Sequence, residues 1–541
     1  MTFRLAFPML TALAIAACAP ARAPTTTPAP APLPTPRVPL AEAPLNWHLL
    51  DPSDGVPGIS LLRAERELLA GKQPKRTIIV AVIDGGVDTA HADLRARLWA
   101  NPRETPGNGR DDDGNGHIDD TRGWNLIGGR DGRNVHHDTF ELTRLAAQCA
   151  DAARRNAMPA EYRGRCPELQ AEFARKRNEA TQTHAQVLQI DAVLTQITPY
   201  LRRATGKDTL TRGNVALIQT SNDTIRQAQQ IFLQFWAAGL TPDEIANAKK
   251  AYSSRVEYGY NLSYEPRPIV GDDYPDTLVK RYGNHDVTGP DAIHGTHVAG
   301  IIGALRDNVG ATGVAQSVLI MALRAVPDGD ERDKDVALAI RYAVDQGANI
   351  INMSFGKAYS PYKAQVDAAI KYADAKGVLM VHGAGNDGQD IDTKPSFPKP
   401  TYSDGERAVN WIEVGAASWK SGDSLVANFS NYGKAGVDVF APGVDIYSTV
   451  TNGGYKKESG TSMASPVVAG LAALIMSYYP SLNAADVKRI ILESATTMAD
   501  AMVARPGDGA KVRFGDLSAT GGIVNAYYAL RLAEQRSGSS P

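Results

Sequence analysis

Three short segments carry the side chains needed to activate a hydroxyl group. Val82-Ile83-Asp84-Gly85-Gly86-Val87-Asp88 puts a carboxylate at the end of a β-branched run. His294-Gly295-Thr296-His297-Val298-Ala299-Gly300 offers two imidazoles a helical turn apart. Gly460-Thr461-Ser462-Met463-Ala464-Ser465-Pro466 offers a serine at the head of an apolar helical pattern. Each alone has a purely structural reading: Asp84 caps a turn, His294 caps a helix, and Ser462 is an N-cap with Pro466 in the first turn. Together they supply a nucleophile, a base and a group to orient the base. A serine hydroxyl is a poor nucleophile until a base takes its proton. His294 could be the base that takes that proton from Ser462. Asp84 would orient the imidazole and stabilise its cation.

These residues need elements that bring distant segments to one place. Residues 77–83 form a short buried run that ends at Asp84, and similar runs recur at 318–324, 348–353, 377–382 and 410–417. Helical patterns lie between or after them, at 334–346, 361–375, 462–479 and 483–496. Strands alternating with helices predict an α/β fold with a mostly parallel central sheet flanked by helices. Ligands in open α/β sheets bind at the carboxyl ends of the strands, where Asp84 sits. Ser462 would open a helix whose free N–H groups favour developing negative charge.

One stretch breaks this alternation. From 136 to 255 strand signals are few, while Val187, Ile190, Val193, Leu194, Ile197 and Leu201 keep helical spacing, as do Ile225, Ala228, Ile231, Phe232 and Phe235. Thr241-Pro242-Asp243-Glu244 reads as an N-cap, a proline at N1 and a capping-box glutamate. We read 136–255 as a helical insertion within the α/β domain. Its cluster Ile231, Phe232, Phe235 and Trp236 must be buried against itself, the host domain or a partner.

The three motifs, in the order Asp, His, Ser, resemble those of the subtilases, the subtilisin-like serine proteases. The resemblance covers about 46–125 and 270–530. It implies a subtilisin-like fold and hydrolysis of peptide bonds in polypeptide substrates by an Asp84–His294–Ser462 triad, with His297 structural. Gly383-Ala384-Gly385-Asn386 matches the segment whose asparagine donates to the oxyanion, with the Ser462 backbone N–H as second donor; the other reading is a turn asparagine. Ser354, Phe355 and Gly356 match the segment that pairs with substrate backbone, with Ala325-Val326-Pro327-Asp328 opposite. The primary pocket is expected between 353–356 and 383–386, with Gly383 and Gly385 among its walls, Ser396 near its floor and an apolar or broad preference.

The same resemblance implies structural calcium. Asp93 lies at the family's ligand spacing from Asp84. The loop 305–311 matches the partner loop, with Leu305, Asp307, Val309 and Ala311 as candidate ligands. A tight polar turn is the other reading. Asp111, Asp113, Asn115, Gly116 and Asp119 follow EF-hand spacing, but Arg122 stands where the bidentate glutamate belongs. A solvated Asp/Gly-rich loop is the alternative.

The N-terminus reads as a targeting segment. Arg4 and the apolar residues up to 17 form a signal peptide, and Ile15-Ala16-Ala17-Cys18 resembles the lipobox of bacterial lipoproteins. Residues 1–17 would be removed, Cys18 lipidated, and the Ala/Pro/Thr-rich stretch 18–45 would act as a tether. The peptidase domain spans 46–535, interrupted by the insertion, and 536–541 is a flexible tail. This places the protein in the cell envelope, at the outer membrane if the cell is Gram-negative, since Ala19 rather than an aspartate follows the cysteine. In an exported chain Cys149 and Cys166 either pair or remain buried thiols. Residues 45–83 are too few for the family's inhibitory prodomain, so restraint is expected from elsewhere, the insertion included. Residues 46–60 and Gly271-Asp272-Asp273-Tyr274 resemble a membrane-attached bacterial subgroup.

The 541 residues are 43% hydrophobic and 21% charged, with a formal net charge of -2, so nothing points to nucleic acid. The chain is expected to be a monomer. The competing reading is a surface-displayed binding lipoprotein with an idle protease fold.

Overall fold

The computed structural model describes residues 40, 42–272, 274, 282–307, 309–394 and 396–538. Cys18, the signal segment, most of the tether, Asp273, Asn308 and residues 539–541 lie outside them. The strands are β1 (Ile78–Asp84), β2 (Gly123–Asn125), β3 (Val318–Arg324), β4 (Ile350–Met353), β5 (Leu379–Gly383), β6 (Trp411–Ala417), β7 (Val439–Pro442), β8 (Ile446–Val450), β9 (Gly454–Glu458), β10 (Thr496–Thr497), β11 (Met502–Ala504), β12 (Lys511–Arg513) and β13 (Gly522–Ile523).

The main sheet runs β10-β13-β7-β6-β5-β4-β1-β3-β2. All its pairs are parallel except β10 with β13. In β1, Ile78, Val80 and Val82 face one core while Ala81 and Ile83 face the other, which is why the run is apolar throughout. The first core packs under α5 (Ile293–Gly303), α8 (Thr461–Tyr478) and α10 (Ala526–Ser537); the second packs under α6 (Asp333–Asp345) and α7 (Lys363–Ala375). A further helix, α9, spans Ala484–Glu493. Helix α8 is long and apolar enough to cross a bilayer, but 89% of it is buried, so it is the central core helix.

The stretch read as an insertion contains α1 (Glu141–Ala150), the 40-residue α2 (Cys166–Thr205), α3 (Asp223–Ala237) and α4 (Pro242–Ser254), with helical residues continuing to Gly259. At 1.5 Å per residue α2 extends about 60 Å. Its outer half packs on α3 and α4 around Leu194, Leu201, Val215 and Phe232, and Ile231, Phe235 and Trp236 pack against that cluster. Those aromatic residues are thus covered by the insertion's own helices. Thr241 caps α4 by accepting from the Glu244 N–H at 3.2 Å. Near the host domain, Cys149 and Cys166 are joined in a disulfide with Cα atoms 5.4 Å apart, beside Leu145, Tyr162 and Phe173.

Both ends of this stretch are pinned to the segment after β3. Asp138 donates its N–H to Asp328 O (3.0 Å), Asp328 donates to His136 O (2.8 Å), and Ser254 Oγ donates to the Asp328 carboxylate (2.7 Å). Below them lie buried ion pairs: Arg332 with Asp138 (2.8 Å), Arg144 with Glu141 (2.7 Å), and Lys357 with both Glu141 and Asp333 (2.8 Å each). Each of these buried charges faces an opposite one, which is what makes its burial tolerable.

Candidate active site

Strands β1, β4 and β5 run in the same direction, so Asp84, the Ser354 segment and Gly383 emerge at one edge of the sheet. Asp84 is buried, and its two carboxylate oxygens accept from His294 Nδ1 at 2.8 and 3.0 Å. That contact fixes the proton on Nδ1 and leaves Nε2 as the base. Desolvation by the surrounding protein, on a ring that is still 46% exposed, would by itself lower the His294 pKa, but the charge and hydrogen bond of Asp84 outweigh it and raise the pKa above the usual 6.5. Gly295 makes the approach possible: a Cβ there would stand 2.1 Å from Gly86 O and 3.0 Å from Asp84 Cβ. His297 faces the interior and contacts Lys456 O through Nε2 (3.0 Å); burial lowers its pKa to about 4.

Ser462 lies in the first turn of α8. Asn386 Oδ1 accepts from Thr461 N at 2.9 Å and Thr461 Oγ1 at 3.1 Å, which turns its Nδ2 away from Thr461. A Cβ placed on Gly460 would lie 3.5 Å from both Asn386 Nδ2 and Ser462 N, so the two donors border one small space beside the serine. That is the arrangement an oxyanion requires. The Ser462 hydroxyl donates to Ser354 O at 3.1 Å; no hydrogen bond to His294 is formed among the described residues. Catalytic hydrogen bonds are often looser before substrate arrives.

Ser354 Oγ bonds Ser465 Oγ (2.9 Å) and Ser462 O (3.0 Å), locking the strand end to the head of α8. A cavity of about 960 Å³ is lined by Ser354, Phe355, Gly356, Gly383, Gly385, Asn386, Ser396, Phe397 and Ser462. Asp387 also lines it, so its wall is not free of acid. Phe140, Leu142, Tyr162, Arg165 and Tyr260 border the same cavity, so the helical stretch forms part of the cleft wall.

Two supporting groups were not anticipated. Buried Arg324 stands in register with Asp84, and its Nε donates to Gly85 O at 2.8 Å. It also donates to Asn125 Oδ1 (3.2 Å) and Val135 O, and burial pushes its pKa down to about 10. His382, one residue before Gly383, bonds Glu413 through Nδ1 (2.8 Å) and Phe355 O through Nε2 (2.7 Å). Burial disfavours its cation, yet Glu413 outweighs that and raises the pKa. A polar residue inside each apolar run was the only signal, and it named no partner.

The first candidate metal position is assembled in part. Asp93 is buried, its carboxylate accepts from Tyr455 OH at 3.0 Å, and its carbonyl accepts from Leu305 N at 3.1 Å, which brings the 305–311 loop beside it. The carbonyls of Leu305, Val309 and Ala311 accept no hydrogen bond from a described residue. Asp307 Oδ1 accepts from Val309 N at 3.0 Å. The second position departs from the EF-hand reading. Asp119 takes a left-handed conformation and spends its carboxylate on the N–H groups of Asn108 (3.1 Å) and Gly109 (2.9 Å). Asn115 bonds Asp120 and the His117 N–H. Asp111 and Asp113 do converge, but with Glu104, which spacing did not suggest.

Residues 75–509 match the model of the subtilase family. A thermophilic serine proteinase of Bacillus sp. (strain AK1) is 39% identical over 281 residues, 51% of this chain and 64% of that protein. Alkaline elastase YaB of Bacillus sp. (strain YaB) is 35% identical over 239 residues, 44% of this chain and 55% of that protein. Subtilisin DY of Bacillus licheniformis is 36% identical over 208 residues, 38% of this chain and 72% of that protein. The chain thus spans less than two thirds of the length of the first two.

Proposed function

This chain belongs to the subtilase family, and from that premise we propose that it is a serine endopeptidase that cuts extended polypeptide segments through an acyl-enzyme. Ser462 Oγ attacks the scissile carbonyl carbon while His294 Nε2 takes its proton. The Asp84 carboxylate stabilises the imidazolium that forms. The carbonyl oxygen, now negative, sits between Asn386 Nδ2 and the Ser462 N–H. The tetrahedral species collapses, the amine leaves with the proton from His294, and water then frees the acyl group by the reverse sequence. Residues 354–356 and 325–328 hold the substrate backbone extended.

The observation that carries this reading is the two-oxygen contact of Asp84 with His294 together with the paired donors beside Ser462. A fluorophosphonate probe should label the wild type at Ser462, and Ser462→Ala should abolish both labelling and peptide hydrolysis. A wild type that is neither labelled nor active on a peptide library would make the protein an idle binding lipoprotein instead.

The enzyme is a monomer held in the cell envelope by a lipid on Cys18. Cys18→Ser should release it from membranes and remove the lipid mass; a variant that stays membrane-bound would refute the anchor. A calcium ion would be held beside Asp93 by that carboxylate and the otherwise unbonded carbonyls of Leu305, Val309 and Ala311. Such an ion supplies a structural cross-link rather than chemistry.

A further inference from the structure

We propose that His382 is a positioning residue for the cleft: held as an imidazolium between Glu413 and the Phe355 carbonyl, it aims the Gly356 N–H at the substrate backbone. The proposal rests on the proteolytic reading above and adds a residue to it.

His382 lies on β5, with Met353 and Glu413 as its register partners on β4 and β6. Its ring is fully buried, with the Trp411 ring 5.4 Å away. A buried polar ring is costly unless its nitrogens are bonded, and here both are. Nε2 is 2.7 Å from Phe355 O, and Nδ1 is 2.8 Å from Glu413 Oε1. A carbonyl oxygen only accepts, so Nε2 carries a proton. Glu413 Oε2 takes the indole N–H of Trp411 at 2.8 Å, which leaves Oε1 for Nδ1. A second proton therefore lies between the ring and that carboxylate. Without it the ring has one N–H for two acceptors, and one of them faces a nitrogen lone pair.

The charged groups facing the ring are Glu413 and, farther off, Glu331 in the segment before α6. Burial disfavours the cation, but Glu413 outweighs it and raises the His382 pKa above the usual 6.5. Burial pushes Glu331 up to about 7, and once ionised it adds to Glu413 in favouring the cation. Lys357 Nζ is spent on Glu141, Asp333 and Glu331 O, and Asp438 on the Glu413 N–H and Arg407. With the pKa raised, both contacts are complete below it, and one is lost as pH rises through it.

The Phe355 carbonyl is where this reaches the cleft. On one side Ser354 is locked to the head of α8; on the other, Lys357 and Phe397 exchange backbone hydrogen bonds of 2.9 Å each. Between these anchors Gly356 is exposed and lines the cavity, and its N–H and C=O form no backbone hydrogen bond with a described residue. The Phe355 C=O and the Gly356 N–H belong to one planar trans peptide, so they point in opposite directions. By holding the carbonyl in the core, His382 turns that N–H outward, where an extended substrate can accept from it.

The test is steady-state kinetics across neutral and alkaline pH with two substrates: a peptide long enough to lie along 354–356, and an ester of one amino acid that reaches only Ser462. In the wild type, KM for the peptide should rise through an alkaline limb that the ester lacks. In Glu413→Gln the amide can donate to Nδ1 while its oxygen keeps Trp411, so no second proton is needed and the limb should vanish. His382→Gln should raise KM for the peptide about tenfold more than KM for the ester. The proposal is overturned if both substrates show the same limb, if the limb persists in Glu413→Gln, or if folded His382→Gln changes the two KM values alike. Fluorophosphonate labelling separates the two readings. A labelled wild type without the limb sinks this proposal alone, and an unlabelled one sinks the proteolytic reading and this proposal with it.

Discussion

At His294 two opposing effects meet, since partial desolvation favours the neutral ring and Asp84 favours the cation, and Asp84 prevails. His294 must be neutral to accept the Ser462 proton. Activity should therefore be low in acid and rise through a pKa above the usual 6.5, read as the acid limb of kcat/KM against pH. Asp84→Asn removes both the charge and the acceptor that fixes the tautomer. It should lower kcat about 10⁴-fold and move the limb to lower pH; an unmoved limb would assign it to another group. Asn386→Ala removes one of the two donors beside Gly460 and should lower kcat by about 10²–10³, a magnitude that comes from this same family, with KM little changed. A loss confined to KM would show that the side chain binds the ground state only. These residues could be singled out as candidates from their motifs alone. The Arg324 contact with Gly85 and the His382–Glu413 pair were not, because each joins residues that are distant in the chain.

Elements with strong periodicity were legible almost to their ends: β1 at 78–84 against 77–83 expected, α6 at 333–345 against 334–346, and α7 at 363–375 against 361–375. Short strands such as β2, β10 and β13 were not, since two or three residues show no alternation and only their neighbours make them strands. The acidic loop was legible only in part for a similar reason. The spacing named positions in a loop, but the backbone turn at Asp119 gave that carboxylate to other N–H groups and packing brought Glu104 in. The disulfide between α1 and α2 closes a loop with a sequence separation of 17. Removing it with Cys149→Ser/Cys166→Ser should cost the surrounding helices up to about 3 kcal/mol. Scanning calorimetry and proteolytic nicking near 149–166 would show this; unchanged values would mean that the buried ion pairs alone hold the root.

In the whole molecule the helical stretch and the catalytic cleft share one wall, so access to Ser462 depends on an element that holds none of the catalytic groups. Replacing the outer helices, 178–250, by a short Gly/Ser linker keeps the Asp138 and Glu141 ion pairs. It should leave cleavage of short peptides within about twofold while changing the cutting of folded proteins, measured as the ratio of kcat/KM for the two substrate types. An unchanged ratio would make the outer helices a structural elaboration only. The sequence by itself determined the α/β alternation, the candidate catalytic side chains and their order, and a helical stretch foreign to that alternation, because apolar periodicity and motif chemistry are local properties of the chain. Tertiary structure decided which face of the cleft that stretch walls, which carboxylates of the acidic loop converge, and which buried charges hold the catalytic turn. The first and last of those depend on contacts between residues some tens to hundreds of positions apart, whose partners become definite only when the helices and the sheet have packed, while the acidic loop depends on how one short turn folds back on itself.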